Sequence, residues 1–137
     1  MTKTFRQSGV CRAVLIAAAT LVVSAGASRA DDMTGNWVDV DTGDTVSIRQ
    51  IGDDVWWVAR SADGGKAWTD MFHGKLEGKK LTGHFADIPE GKNRNQGSYV
   101  GRVVVRDDGN VLELDGEFTY SPDNNTSKRH GKYKRAD

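Results

Sequence analysis

The chain has 137 residues, 37% of them hydrophobic, with 19 basic and 19 acidic side chains. Four of the basic residues (Lys3, Arg6, Arg12, Arg29) and the only cysteine, Cys11, fall in the first thirty, so residues 31–137 carry 15 basic and 19 acidic groups and no thiol. A net charge near −4 excludes the basic surface of a nucleic-acid binder, and a thiol-free remainder excludes disulfides and cysteine nucleophiles.

Residues 1–30 read as a secretory signal peptide. Lys3, Arg6 and Arg12 make a positive start, Ala13–Val23 an apolar run, and Ser28-Arg29-Ala30 offers small residues at the cleavage positions. Ala25-Gly26-Ala27 allows a cut after Ala27 instead. The apolar run is about a dozen residues, short of the roughly 20 that span a bilayer, so an uncleaved anchor is the rival reading and no membrane span remains after cleavage. Cys11 precedes the apolar run rather than standing at the cleavage point, which argues against a lipoprotein. The expected location is periplasmic or secreted, with residues 31–137 as one domain.

Beyond the signal, glycine-rich turns recur at short intervals: Asp41-Thr42-Gly43-Asp44, Gly52-Asp53-Asp54, Asp63-Gly64-Gly65, Glu77-Gly78-Lys79-Lys80, Pro89-Glu90-Gly91 and Asp107-Asp108-Gly109-Asn110. Between them apolar and polar residues alternate. Val46 and Ile48 share one face, Val103 and Val105 another, and Leu112, Leu114, Gly116, Phe118 and Tyr120 a third. The pattern predicts an all-β fold with strands near 35–40, 44–52, 54–62, 67–76, 80–88, 97–107, 110–121 and 129–135. Short connections pair neighbours, so the expected architecture is an antiparallel up-and-down barrel of about eight strands, with a two-sheet sandwich as the rival. The segment Asn124-Asn125-Thr126-Ser127 reads as a turn. The basic run Lys128–Arg135 reads as a closing strand whose lysines discourage edge-to-edge pairing, or as a contact for anionic polymer or lipid.

Gly35-Asn36-Trp37 resembles the Gly-x-Trp that opens lipocalin barrels, and Thr34-Gly35-Asn36-Trp37 is similar to the opening of avidin-type barrels. The lipocalin resemblance implies that Trp37 crosses the barrel floor beneath an arginine from near the last strand. Arg135 is set with Trp37 as the barrel-end plug, and Arg129 stays open as the alternative. A second resemblance spans about 35–100: Ile48-Arg49-Gln50-Ile51-Gly52, Val55-Trp56-Trp57, Ser61-Ala62-Asp63-Gly64-Gly65, Trp68, Phe72, Gly74, Gly83 and Asp87-Ile88-Pro89-Glu90-Gly91 look like a set of small bacterial proteins with a lipocalin-like (calycin-type) fold. It implies a fold and no activity.

Aromatic residues dominate the predicted strands. Trp57, Trp68, Tyr99, Phe118 and Tyr120 are the candidate ligand-lining set, for an apolar or amphipathic small molecule. Core filling is the plain alternative. Trp56 and Trp57 are adjacent and must face opposite sides, which alternation alone does not resolve. If Gly78-Lys79 are the turn residues, His73 lies opposite His84 on the solvent face; two imidazoles fall short of the ligands zinc requires, so no metal and no cofactor are expected. Asp39, Asp41 and Asp44 do not match a calcium loop, and no nucleophile elbow, phosphate loop or His-Glu-x-x-His motif occurs. The expectation is an exported small-molecule-binding protein rather than an enzyme. The alternative is a protein-interaction or inhibitor module of the cell envelope with a filled core.

Overall fold

The computed structural model describes residues 32–136; the predicted signal peptide lies outside them. Eight strands follow one another: β1 Gly35–Asp39, β2 Thr45–Ile51, β3 Asp54–Arg60, β4 Thr69–Glu77, β5 Lys80–Asp87, β6 Gln96–Arg106, β7 Val111–Tyr120 and β8 Asn125–Arg135. Each pairs antiparallel with its neighbour in sequence, and β8 pairs with β1, which closes the barrel. The predicted class and strand order are the observed ones, and the sandwich is excluded. No helix among the described residues is long and apolar enough to cross a membrane.

Turn chemistry sets the registers. Gly78 at φ +61° sits in the left-handed region that a tight hairpin needs. The turn pairs Glu77 with Lys80, and from there Leu76 with Leu81, Gly74 with Gly83 and His73 with His84. The turn expected at Asn124–Ser127 is displaced: Pro122 and Asn124, the latter at φ +55°, make the bend earlier. Thr126 and Ser127 already pair with Thr119 and Phe118. β8 is the closing strand: its last residues, Tyr133, Lys134 and Arg135, pair with β1, and residues 125–134 pair with β7. Its lysines make a charge ladder along β7, with Lys128 opposite Glu117 and Lys132 opposite Glu113.

The inward faces make one core that includes Trp37, Val46, Ile48, Val55, Trp57, Phe72, Leu81 and Leu112. The rings of this core fold over glycines. A Cβ built on Gly74 or Gly83 would meet the Phe72 ring, and one on Gly101 would meet the Tyr99 phenol. Large side chains thus occupy the space that neighbouring positions leave empty.

One barrel end is sealed. Trp37 and Met33 are fully buried, and the Trp37 indole N–H donates to Met33 O at 2.9 Å. Arg135, directly opposite Trp37 in the β1–β8 register, lies over its ring at 4.4 Å. It also donates to Thr34 O (3.0 Å) and Gly109 O (2.8 Å). Arg129 is elsewhere, so the arginine over Trp37 is Arg135.

Candidate functional site

The other end is open, ringed by the connections 40–44, 61–68, 88–95 and 121–124. Two cavities lie there. A deep void of about 50 Å³ is bordered by Trp57, Trp68, Asp70, Tyr99, Leu114, Phe118, Arg129 and Tyr133, among others. A shallower recess of about 200 Å³ is bordered by Trp68, Asp70, Phe85, Asp87, Asn93, Asn95, Phe118, Tyr120, Ser127 and Arg129. All five candidate aromatic residues border one or the other. They do so unequally. Trp57 and Tyr99 are core residues, 6% and 4% exposed, and Trp57 stacks on Phe72 with centroids 3.8 Å apart. Phe118 and Tyr120 are half-buried around Phe85, at 5.2 and 5.5 Å in edge-to-face contact. Trp57, Phe72 and Tyr99 fill much of the interior themselves, and the larger of the two spaces lies in the mouth.

The mouth is polar as well as aromatic. Alternation along β8 turns Arg129 inward with Gly131 and Tyr133. Its guanidinium pairs with Asp44 at 3.1 Å and Asp39 at 3.7 Å. Asp39 is 4% exposed, and its Oδ1 also accepts from the backbone N–H groups of Asp41 and Thr42. Asp70, on β4, accepts from the Trp57 indole N–H at 3.1 Å. Burial pushes its carboxyl up to about 6, with the nearby Asp87 adding to the rise and the Trp57 bond and Arg129 opposing it. Burial likewise holds the Tyr133 phenol up to about 12 and raises that of Tyr99. Among the described residues the Tyr99 hydroxyl has no hydrogen-bond partner.

Asp70 predicts its own pH dependence. A carboxyl whose folded-state pKa exceeds its unfolded value of 3.8 favours the folded state when protonated, so its contribution falls as pH rises from about 4 to about 6. Asp70→Asn keeps an oxygen for the Trp57 N–H and removes the charge. It is expected to raise unfolding free energy at pH 7 by roughly 1–3 kcal/mol and to give no gain near pH 4. Urea denaturation of both proteins across that range measures the difference.

Other predicted features sit outside the mouth. Trp56 faces out, 39% exposed, stacked on His73 at 4.7 Å. His73 and His84 are opposite each other and exposed, and His73 Nε2 lies 3.3 Å from Asp54. Among the described residues, no group of three or more His, Cys, Asp or Glu side chains is placed to hold a metal. The sequence reading missed Phe85, Asp87, Arg129 and Tyr133 as mouth residues. Parity was the available signal: 129, 131 and 133 share a face, as do 85 and 87.

No family model matches this chain, and no curated protein matches it. Among solved structures it is similar to the X-ray structure of a biotin-binding protein from chicken, with a TM-score of 0.51 and 15% identity. The match covers 80% of this chain and all of that one. The two share the eight-stranded closed barrel.

Proposed function

We propose that this is an exported barrel that binds a small amphipathic molecule in its open mouth. The observation that carries this reading is the asymmetry of the ends. One is sealed by Met33, Trp37 and Arg135; the other leaves a recess of about 200 Å³ that combines rings with the half-buried carboxylates Asp70 and Asp87. That volume is below the roughly 300–1,000 Å³ of drug-sized pockets, so the ligand is compact. An acid kept in a site that penalises its charge also supports a ligand role. The signal-like first thirty residues support export to the periplasm or beyond. The solved neighbour is itself named as a binding protein, which favours binding over catalysis. Native mass spectrometry of the exported protein, with nuclear magnetic resonance of its indole N–H groups during ligand titration, tests the reading. Ligand-induced shifts at Trp57 and Trp68, with Trp37 unmoved, are expected. Shifts confined to the sealed end or the outer surface overturn it.

A second reading, a protein-interaction module, is favoured by one observation. Trp56, Met71 (50% exposed) and Val100 (46% exposed) lie outside the barrel on β3, β4 and β6. A photo-crosslinking side chain at Met71 should then give a discrete adduct in envelope extracts, and one at Glu117 none. Because Trp56 packs only on this surface, Trp56→Ala is expected to change folding stability by less than about 1 kcal/mol, as read by thermal denaturation.

A further inference from the structure

The charges of the mouth are not matched. Its cavities are bordered by three carboxylates, Asp44, Asp70 and Asp87, and one cation, Arg129. Arg129 is committed to Asp44 and to the underlying Asp39. Asp70 and Asp87 face each other directly across the β4–β5 ladder. Neither has a cationic partner within ion-pair distance among the described residues. Each spends one oxygen on a fixed donor: Asp70 Oδ1 on the Trp57 indole N–H, and Asp87 Oδ2 on the backbone N–H of Asn95 at 2.7 Å. The second oxygen of each has no donor from the described residues, and both residues border the 200 Å³ recess. Like charges opposite each other on adjacent strands repel, and a cation between them removes that repulsion.

A further observation points to a guest at this place. Trp68, Phe85, Phe118 and Tyr120 surround the same recess, and aromatic faces attract organic cations.

We propose that the mouth takes a compact organic cation: an amine on a small flat apolar body, its nitrogen between Asp70 and Asp87 and its body against Trp68, Phe85, Phe118 and Tyr120. This rests on the reading of the mouth as a small-ligand site. The groups facing Asp70 are Asp87 from β5, Trp57 from β3, Tyr99 from β6, Arg129 and Tyr133 from β8, and Asp39 and Asp44 around the first turn. Burial raises the Asp70 carboxyl to about 6. The amine's advantage therefore shrinks as the pH drops below that value.

The test uses 2-phenylethylamine, 2-phenylethanol and 3-phenylpropionate, which present a similar phenyl body with positive, neutral and negative heads. Affinities are read from the indole N–H resonances of Trp57 and Trp68. The amine is expected to bind about tenfold tighter than the alcohol, the scale of a partly buried ion pair, and the carboxylate weakest. Asp87→Asn should reduce the amine's preference to within about twofold and leave the alcohol's affinity unchanged. Asp70→Asn, which retains an acceptor for Trp57, is the second variant should the first not fold, with folding judged by circular dichroism. Alcohol or carboxylate binding as tightly as the amine overturns the cation assignment and leaves the small-ligand reading standing. No shift with any of the three at millimolar concentration overturns both.

Discussion

Trp37→Ala is expected to lower the unfolding free energy by about 3–5 kcal/mol, the range for a large ring deleted from a packed core. The residue has no solvent exposure and anchors two other parts of the floor. Its indole N–H holds Met33 O, and its face carries the Arg135 guanidinium at 4.4 Å. Removing the ring leaves Met33 without its donor and Arg135 over an empty space. Arg135 would still hold Thr34 O and Gly109 O, so the floor loosens without opening fully. A domain of this size has roughly 5–15 kcal/mol in total, so the loss is a large share. Guanidinium denaturation followed by circular dichroism measures it. A loss under 1 kcal/mol would mean that the floor does not depend on this ring.

Phe72→Ala is expected to cost about as much, toward the upper end of the same range. Phe72 is 2% exposed and stacks on Trp57. Its ring occupies the space over Gly74 and Gly83, neither of which has a side chain to move into the gap. The cost of a deletion grows with the cavity that remains, and here the surroundings cannot collapse. The new space adjoins the existing void bordered by Trp57 and Tyr99. The variant should therefore take up a small apolar solute such as benzene, while the parent protein should not. Thermal denaturation with and without benzene reads both effects at once.

The sequence revealed which residues face inward far better than how far the interior is filled. In β7, Leu112, Leu114, Phe118 and Tyr120 alternate with Glu113, Asp115, Glu117 and Thr119, so the inward face was legible from a period of two. In β3 the same rule failed to choose, because Val55 and Trp57 on one face are as apolar as Trp56 and Val58 on the other. Only the closed barrel decides, by turning Trp57 onto Phe72. Arg129 was hidden for a related reason. It shares its face with Gly131 and Tyr133, and a glycine gives no hydrophobic signal to mark that face. Met33 was beyond pattern reading altogether, since it precedes the first strand and is buried at a floor closed by Arg135, which donates to Thr34 O from 101 positions further along the chain. The filled interior follows from rings lying over Gly74, Gly83 and Gly101. That geometry depends on rotamers, which a string of residue types does not encode.

The joining of β8 to β1 has a consequence for how the molecule is made. The last residues of the sheet, Tyr133, Lys134 and Arg135 of β8, pair with the side of the first strand that β2 leaves open. A polypeptide made N-terminus first cannot lock until that last piece has left the ribosome. Until then it is an unfastened ribbon whose earliest hydrogen-bonding groups await the latest. Assembly is thus concentrated at the end of synthesis.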